Sequence, residues 1–567
     1  MFHKYIEQLN PRPQFNLKWY DHKDMYSDGE IEETIVKLIA ENNPENYVKA
    51  IYDNYSWPVY YHLTHVRRNI LNWYPFTKAD DILEIGCGFG AITGLLCDKC
   101  KSVTAVELSE RRATGTLLRC REKENLEIIV GNLNDIEFDK KFDYITLIGV
   151  LEYQGRFTNS DNPYVDFLKK IRTLLKPNGK LLIAIENQYG LKYWCGAMED
   201  HSGVPFDGIN QYKFTDNGIR TFSRTRLENI IKKSGFGNTY FYYPLPDYKL
   251  PMVIYSENYI PQNGNMQDIK YYYAHQGISL IARESDIYHD IIDNNAFEFM
   301  ANSFLVECSD SEQLGEVEFV SIASNRMREY QLGTKILKGN LVKKYSLWNE
   351  GQSHIAQTVL NEQKLRQRGL ETIGSWYEEG QLVAPYSNAQ TLEMCVVQAI
   401  HERKFEQVYA YIDRIYSDIL NSSEHMDWKS NIIFAFQIDE PKNEEAYGPI
   451  LEEGYLDLTF RNAFWDNNKL YWFDQEWMLE YIPAKYILFR AIGTLYYSFP
   501  DLEDILPLAE LYERYGMCDI VKQFSQLEDF FNKSIIDTMH MREGYMLQHK
   551  DDQILVDNIK RLMKVQH

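Results

Sequence analysis

The sequence lacks the features of a secreted or membrane-spanning protein. No run of residues is apolar for the length needed to cross a bilayer, and the first fifteen residues carry charges and prolines instead of an apolar signal core. Eight cysteines scattered over 567 residues are not the pattern of a disulfide framework. We therefore expect a cytoplasmic protein with reduced thiols, for which peripheral association with a membrane stays open.

Basic residues are outnumbered in this chain. It contains 60 lysines and arginines against 82 aspartates and glutamates, which gives a net charge of -22. Because this charge repels nucleic-acid phosphates, we expect no DNA or RNA partner. Sustained heptad repeats are also missing, and the lone CxxC of Cys97 and Cys100 has no second pair to complete a zinc site. Nothing in these patterns predicts an oligomeric state.

The length of the chain predicts two or three domains, because 567 residues exceed the usual size of a single core. From residue 81 to about 255, short apolar runs alternate with amphipathic stretches, which predicts βαβ units and a mostly parallel sheet. The predicted strands are Ile82–Ile85, Val103–Glu107, Glu127–Val130, Tyr144–Ile148 and Lys180–Glu186. The predicted helices are Ala91–Cys100, Glu110–Lys123 and Tyr164–Leu175, the last ended by a turn at Lys176-Pro177-Asn178-Gly179. Two later runs, Tyr240–Tyr243 and Met252–Tyr255, predict a hairpin at the sheet edge.

The segments on either side of this region have a different character. Helical spacing over Ile31–Ala40 and Val59–Trp73 predicts a leader, residues 1–78, that packs on the sheet domain of residues 79–310. Beyond it, strand-like runs at 316–322, 330–336 and 341–345 precede a helical pattern at 354–366, and helical spacing dominates from residue 392. We therefore predict a second, α+β domain over residues 316–567, with one lobe at about 316–385 and a mainly helical lobe at about 390–567.

A glycine-rich loop follows the first predicted strand of the sheet domain. Gly86, Gly88 and Gly90 stand between a strand and a helix, where a nucleoside can approach bare backbone closely. Glu107 ends the second strand, where a carboxylate can accept hydrogen bonds from both ribose hydroxyls. To this point a nicotinamide-dependent dehydrogenase fits nearly as well as any other nucleotide-binding enzyme.

The glycine spacing and three later motifs separate these possibilities. The loop is spaced GxGxG and is preceded by the acidic Glu84, and this pattern resembles the class I S-adenosylmethionine-dependent methyltransferases. The resemblance continues in order through residues 131–135, 142–153 and 175–181, which match the adenine loop, the fourth strand and the turn into the fifth strand of that family. It implies a Rossmann-like fold that binds S-adenosylmethionine. The residues it assigns to that cofactor are Glu84, Gly86, Gly88, Gly90, Glu107, Asn132, Leu133 and Gly149.

Residues for the methyl acceptor are predicted around the end of the fifth strand. The segments 186–194 and 199–203 are rich in polar and aromatic groups and poor in helix signals, so we expect them to cover the acceptor pocket. His201 and Glu152 are the candidate base and its orienting partner. Arg67 and Tyr60 of the leader are candidates to contact the methionine carboxylate or cover the pocket, although a solvent-facing arginine is the simpler interpretation.

The second domain contains residues in the order found in kinases. Asp457 precedes Asn462 by five positions, and Asp474 follows a predicted short hairpin, so the three are candidates for a catalytic aspartate and two Mg²⁺ ligands. Lys344, on a strand, is the candidate phosphate-binding lysine, and Glu362, on the next helix, is its candidate partner for ATP binding. No histidine-arginine pair precedes Asp457, and Gln475-Glu476 follows Asp474 in place of phenylalanine-glycine.

A methyltransferase followed by a kinase-like domain resembles the bacterial O-antigen chain-terminating kinase-methyltransferases over residues 45–500. That resemblance implies a surface glycan, or its precursor, as substrate, and methylation of a phosphate that the second domain installs with ATP and Mg²⁺. Two alternatives stay open. One is a small-metabolite O- or N-methyltransferase whose second domain only selects substrate, and the other is a non-catalytic nucleotide-binding scaffold.

Overall fold

The fold is described from a computed structural model, over residues 3–24, 27, 29–215, 217–262, 266, 269–273, 279–436, 444–537 and 552–564. The chain forms two compact units. The first comprises Met1–Ile322 with Met539–His567, and the second comprises Ala323–Thr538. No helix among the described residues is both long enough and apolar enough to cross a membrane.

The first unit is an α/β structure built on one sheet. Its strands are β1 Gln14–Trp19, β2 Asp81–Ile85, β3 Ser102–Glu107, β4 Leu126–Gly131, β5 Phe142–Ile148, β6 Leu175–Glu186, β7 Asn238–Leu245, β8 Val253–Ser256, β9 Ser303–Ser309 and β10 Val317–Ala323. Its helices before the second unit are α1 His3–Leu9, α2 Ile31–Glu41, α3 Tyr47–Asp53, α4 Trp57–Leu63, α5 Thr93–Lys99, α6 Glu110–Arg119, α7 Gln154–Phe157, α8 Pro163–Leu174, α9 Leu191–Trp194, α10 Arg224–Lys233, α11 Glu284–Asp293 and α12 Phe297–Met300.

The strand order of this sheet fixes where a ligand can bind. Strands β1, β4, β3, β2, β5 and β6 lie side by side and are parallel, and β9, β7, β8 and β10 extend the sheet with antiparallel pairings. The chain moves from β2 to β3 and β4 in one direction and then resumes at β5 on the other side of β2. In open parallel sheets a ligand site lies outside the carboxyl ends of the strands at such a switch point. The ends of β2 and β5 therefore mark the expected cleft.

The five predicted strands of the sheet domain are confirmed, with two local differences. The sequence 176–179 is not a turn before the strand but lies inside β6, where Asn178 has φ 61° and the register against β5 shifts. The hairpin of β7 and β8 is also confirmed, but it is not at the sheet edge, because β9 and β10 pair with its two outer sides. Asparagine tolerates the left-handed conformation, so Asn178 can form a bulge within β6 without reversing the direction of the chain.

The leader packs as predicted but is broken in one place. Residues of α2, α3 and α4 form an apolar cluster with Phe89 and Leu118 of the sheet domain. The single helix predicted over Val59–Trp73 is wrong, because α4 ends at Leu63 and a 3₁₀ helix spans His65–Ile70. Thr64 lies between them with ψ 139°, and its hydroxyl accepts a hydrogen bond from the amide of Val66. A threonine that caps the following turn competes with helix continuation.

The second unit contains a small sheet and a larger, mostly helical part. Its strands are β11 Leu332–Leu337, β12 Leu341–Ser346, β13 Trp376–Glu378, β14 Gln381–Pro385, β15 His425–Met426, β16 Ile450–Tyr455, β17 Ala463–Asp466, β18 Lys469–Trp472 and β19 Met478–Pro483. Its helices are α13 Gln352–Gln367, α14 Leu392–His401, α15 Phe405–Asn421, α16 Ala484–Ser498, α17 Leu508–Arg514 and α18 Val521–Ile535. Strands β11, β12, β14 and β13 are neighbours in that order, and α13 packs on them through Ile355 and Val359.

The boundary between the units differs from the predicted one at both ends. Strand β10, which the sequence assigned to the beginning of the second domain, pairs with β8 of the first unit. The C-terminal helix α19, Asp552–Lys564, also belongs to the first unit, where the Asn558 side chain donates a hydrogen bond to the Leu280 carbonyl. Amphipathic periodicity identifies such a helix but carries no information about which core it joins.

Candidate functional site

A cavity of about 260 Å³ opens at the carboxyl ends of the central parallel strands. Residues from the ends of β2, β3, β4 and β5 line it, together with side chains from the leader and from the loop between β7 and β8. The residues whose roles are considered below are Trp57, Tyr61, Arg67, Gly86, Gly88, Glu107, Asn132, Leu133, Gly149, Glu152, Tyr153, His201, Tyr248 and Lys249. The cavity therefore lies at the switch point of the sheet.

The glycine loop has the backbone geometry that its sequence predicts. Gly86 and Gly88 both have positive φ, at 76° and 55°. A Cβ at Gly86 would lie 2.5 Å from a methyl of Val150, whereas a Cβ at Gly88 would meet no atom within 4 Å. Gly88 thus exposes its backbone to the cavity, and any side chain there would occupy ligand space.

Gly90 and Glu84 have structural surroundings different from those of the two cavity glycines. Neither is among the residues that line the cavity. A Cβ at Gly90 would lie 3.2 Å from the Thr116 Cα, so this glycine allows close packing against α6. Glu84 is buried in β2, where burial first and the nearby Glu107 second raise its pKa to about 7. The structure therefore places these two residues outside the lining of the cavity, and their assignment to the cofactor stays a prediction.

Glu107 is held firmly at the end of β3. One carboxylate oxygen accepts the Gly88 amide at 2.8 Å, and the other accepts the Leu108 and Ser109 amides at 2.9 and 3.1 Å. Burial nevertheless raises its pKa above the ordinary range. A carboxylate fixed beside a bare glycine loop can accept hydrogen bonds from a ribose diol on its remaining lone pairs.

The predicted adenine residues lie on the loop after β4. Leu133 is buried and Asn132 is partly buried, and both line the cavity. The Asn132 side chain is engaged within its own turn, since its Oδ1 accepts the Asn134 amide at 3.0 Å. The Leu133 side chain therefore offers the apolar surface at this position, and Asn132 shapes the loop. Gly149, with φ 70°, ends β5 beneath the Tyr248 hydroxyl.

Of the two candidate leader residues, Arg67 lines the cavity and Tyr60 does not. Arg67 does not face solvent: it is 6% exposed, donates to the Lys249 carbonyl at 3.1 Å and stacks 4.2 Å above the Tyr61 ring. Tyr60 is buried in the leader core and is not among the lining residues. Its neighbour Tyr61 lines the cavity instead and stacks on Trp57. In a short helix, the spacing of apolar residues does not determine which of two adjacent residues faces the cavity.

His201 has an acidic partner other than the predicted one. Its Nε2 lies 3.3 Å from Glu186 Oε2, and its Nδ1 lies 3.1 Å from the Tyr153 hydroxyl. Burial disfavours the imidazolium, but Glu186 outweighs this and raises the His201 pKa to about 10. Because His201 is then charged at neutral pH, its predicted role as a base requires that proton to leave first. Glu152 lies nearby, within the same three-residue group.

Lys249 ties this group into a larger buried charge network. Its ammonium contacts Glu186 and lies 3.0 Å from Asp200, and Lys192 lies 2.8 Å from Asp200 and 3.1 Å from Asp247. Burial disfavours the charge on Glu186, yet Lys249 and His201 together hold its pKa well below the usual range. No motif predicts a role for Tyr248 or Lys249, because they follow Glu186 by about sixty residues and lie in an irregular loop. Only the pairing of β7 with β9 brings them near β6.

The residues of the second unit that the sequence predicts for ATP and Mg²⁺ binding are brought together in part. Lys344 of β12 contacts Asp474 and Glu476, and Glu476 also pairs with Arg326 at 2.6 Å. Asn462 donates to the Asp457 carbonyl at 3.3 Å. The hairpin of β17 and β18 separates Asn462 from Asp474, as predicted.

Two further details concern Asp457 and Glu362. Asp457 accepts the Trp477 amide at 3.0 Å, and burial first, then Glu476, raises its pKa to about 7. The predicted pairing of Glu362 with Lys344 is wrong. Glu362 instead accepts the Gly374 and Ser375 amides, each at 2.9 Å, and so anchors the loop before β13. Glu476 holds the position beside the lysine that Glu362 was expected to hold.

Comparisons with known proteins concern the first unit. A family model described as a methyltransferase domain matches residues 83–183. An uncharacterized methyltransferase of Staphylococcus carnosus is 30% identical over 162 residues, which cover 28% of this chain and 70% of the relative. The malonyl-[acyl-carrier protein] O-methyltransferase of Priestia megaterium is 28% identical over 155 residues, 26% of this chain and about half (52%) of that protein.

Among solved structures, a phosphoethanolamine N-methyltransferase of Haemonchus contortus in complex with phosphoethanolamine and S-adenosylhomocysteine aligns with 51% of this chain and 52% of its own. The TM-score is 0.29 and the identity is 12%. The sequence match to the bacterial relatives and the family model carry the conclusion. The chain belongs to the class I S-adenosylmethionine-dependent methyltransferases, with its methyltransferase domain in the first unit.

Proposed function

We propose that the first unit binds S-adenosylmethionine at Gly86, Gly88 and Glu107 and transfers its methyl group to an acceptor held near Glu152 and His201. The observation that carries this proposal is that one cavity is lined by both sets of residues. The sulfonium methyl is already activated, so the protein has chiefly to align donor and acceptor and exclude water. The stacked side chains of Trp57 and Tyr61 line the cavity and would help to exclude water.

The acceptor we propose is an oxygen of a bacterial surface glycan or its precursor. The resemblance of the whole chain to glycan-terminating kinase-methyltransferases supports this choice. The cavity also contains the cationic groups of Lys249 and His201, which favour an acceptor that carries negative charge. A phosphate monoester fits this requirement and needs no general base, because it is anionic at neutral pH.

The second unit is proposed to supply that phosphate from ATP. Lys344, on a strand, would steer the phosphates, while Asn462 and Asp474 would bind Mg²⁺ beside Asp457. Their arrangement supports the proposal, because Lys344 contacts Asp474 and Asn462 is bonded to the Asp457 backbone. ATP-Mg²⁺ would have to take Asp474 from Lys344, so nucleotide binding is expected to rearrange this contact.

Cofactor binding is tested by thermal unfolding of the full chain with saturating S-adenosylhomocysteine. A ligand at a hundred times its dissociation constant adds about 2.7 kcal/mol of stability, so the midpoint should rise clearly. The rise should be much smaller in a Gly88→Ala variant. A larger shift with NADH than with S-adenosylhomocysteine would instead favour a dehydrogenase.

The acceptor is tested by mass spectrometry of products. Purified protein is incubated with cell-envelope glycan precursors, S-adenosylmethionine, ATP and Mg²⁺, and the expected product gains one phosphoryl and one methyl group. Omitting ATP should leave the glycan unmodified, whereas a pre-phosphorylated glycan should be methylated without ATP. Methylation of small metabolites alone, at the same rate with and without ATP, would replace the glycan proposal by the small-metabolite alternative.

A further inference from the structure

Glu152 is a buried acid at the wall of the cavity. It has no exposed surface, and neither of its carboxyl oxygens has a hydrogen-bond partner among the described residues. The residue nevertheless lines the cavity. A buried polar group of this kind is costly unless something that is not part of the protein fold completes its bonding. Its position therefore points to a ligand in contact with Glu152.

The neighbours of Glu152 narrow the chemistry of that ligand. One oxygen each from Glu152 and Glu186 and one ring nitrogen of His201 all lie within 4.8 Å of one another. Two atoms that each lie about 2.1 Å from one ion, at roughly a right angle, are about 3 Å apart. The distance of 3.3 Å between His201 Nε2 and Glu186 Oε2, which the structure shows as a hydrogen bond, is also compatible with two ligands of a common cation.

The surroundings of this group hold its members in the required orientation. The Tyr153 hydroxyl is 3.1 Å from His201 Nδ1, which leaves Nε2 directed at Glu186. Tyr248 donates to the other Glu186 oxygen at 3.3 Å, and Glu199 accepts the His201 amide at 2.8 Å. Metal-binding histidines are usually fixed in this way through their second ring nitrogen.

The charges near the group are compatible with a divalent cation. The carboxyl groups are those of Glu152, Glu186, Glu199, Asp200 and Asp247, and the cationic groups are those of Lys192, Lys249 and His201. A divalent cation that displaces the proton of His201 keeps a positive charge at this position, so the lysine contacts need not move.

We propose that Glu152, Glu186 and His201 bind a divalent metal ion at the acceptor side of the cavity. Two carboxylates and one imidazole suit an ion that accepts both oxygen and nitrogen ligands, and Mn²⁺ meets this description. On binding, the ion replaces the proton on His201 Nε2 and any proton on Glu152, and these protons pass to solvent.

The role of the ion rests on the proposed function. The ion would replace the positive charge that His201 loses with its proton, so the acceptor end of the cavity would still favour an anionic phosphate oxygen. An ion held by Glu152, Glu186 and His201 can also bind the acceptor oxygen directly, next to the donor methyl group. The acceptor would then be a group whose oxygen can bind a hard or borderline cation.

Metal binding is tested on the full chain after treatment with EDTA and in the absence of nucleotide. Mn²⁺ is titrated into the protein while the electron paramagnetic resonance signal of the free ion is recorded. We expect one bound ion whose spin-echo spectrum shows coupling to a single imidazole nitrogen. Affinity should fall by at least about tenfold in Glu152→Gln and in His201→Gln, and the nitrogen coupling should vanish in the latter.

The matched control is Asp474→Ala, which removes a candidate ligand of the second unit and should leave this ion in place. Wild-type protein that binds no Mn²⁺, or a bound ion without nitrogen coupling, overturns the inference, and these results do not depend on how the variants fold. Equal binding by wild type and both first-unit variants overturns it as well. If S-adenosylhomocysteine raises the unfolding midpoint but no metal binds, the metal site is wrong and the proposed methyl transfer stands. If a metal binds but S-adenosylhomocysteine does not raise the midpoint, the metal site stands and the proposed methyl transfer is wrong.

Discussion

The two units each bury a lysine between acidic side chains, but their acids differ in what a ligand would have to displace. In the second unit Lys344 contacts both Asp474 and Glu476, Arg326 adds a further cation, and the Asp474 side chain is 36% exposed. In the first unit Lys249 contacts Glu186 in the same way, yet Glu152 beside it has no hydrogen-bond partner among the described residues and lines a cavity. A ligand of Asp474 would therefore have to compete with Lys344, whereas a ligand of Glu152 would break no hydrogen bond of that side chain.

The largest expected effect separates the chemistry of the two clusters. If the second unit transfers phosphate as proposed, Asp474→Ala should abolish that activity, with a loss of about a thousandfold or more, because the nucleotide would lose a Mg²⁺ ligand. Stabilisation by S-adenosylhomocysteine should be unchanged. Phosphate transfer is measured with labelled ATP, and methylation of the unphosphorylated substrate should fall in parallel. Full methylation by this variant without ATP would show that the second unit is a scaffold.

The next effect concerns the structural role of the two lysines. Lys249→Met and Lys344→Met each leave buried carboxylates without their cation, and loss of one partner of a buried pair costs about 3–5 kcal/mol. Both variants should unfold at clearly lower denaturant concentration than wild type.

Lys343→Met is the matched control for this pair. Its ammonium lies 4.0 Å from Glu378 in a partly exposed pair, so less than about 1 kcal/mol should be lost. If Lys344→Met loses as little unfolding free energy as this control, Lys344 does not stabilise the second cluster. The two clusters would then differ in the role of their lysines.

A third kind of buried acid gives a pH-dependent prediction. Glu284 has neutral partners, Asn302 at 2.6 Å and Tyr273 at 3.0 Å, and burial raises its pKa to about 7. The folded state therefore retains this proton more tightly than the unfolded chain does, and stability is lost as pH rises from about 4.5 to 7. A shift of about 2.5 pKa units corresponds to about 3 kcal/mol.

Glu284→Gln should remove this dependence. Denaturant unfolding at pH 5 and pH 8 should show a smaller decrease for the variant than for wild type, with an exposed control, Glu137→Gln, behaving as wild type. An equal pH response in Glu284→Gln and wild type would contradict the prediction.

The smallest expected effect distinguishes two glycines of one loop. Gly88→Ala meets no atom within 4 Å, so it should cost only about 1 kcal/mol for its positive φ but weaken S-adenosylhomocysteine about tenfold. Gly90→Ala presses on the Thr116 backbone, so it should lower stability more and binding less. Calorimetric titration and thermal unfolding measure the two quantities. The opposite ranking would place the ligand near Gly90.

The sequence predicts those parts of the molecule whose geometry is set locally. The strand, glycine loop and acidic strand end that bring Gly88 and Glu107 together follow from short motifs, and the structure joins the two by a hydrogen bond. Lys249 could not be predicted, because a long-range antiparallel pairing brings it to Glu186. Glu362 was misassigned because helical spacing does not state which neighbour a polar face meets. The hydrogen bonds to Gly374 and Ser375 decide that.

The return of α19 to the first unit has a practical consequence for dissecting the protein. In chain order the second unit is an insertion between two pieces of the first, and not an appendage at its end. Cleavage near residue 322 would therefore separate the sheet from the helix whose Asn558 is bonded to Leu280. A fragment ending there would be an incomplete methyltransferase unit, and its behaviour would say little about the intact enzyme. A variant in which a short flexible linker replaces residues 323–537 and α19 is retained would keep both pieces of the first unit in one chain.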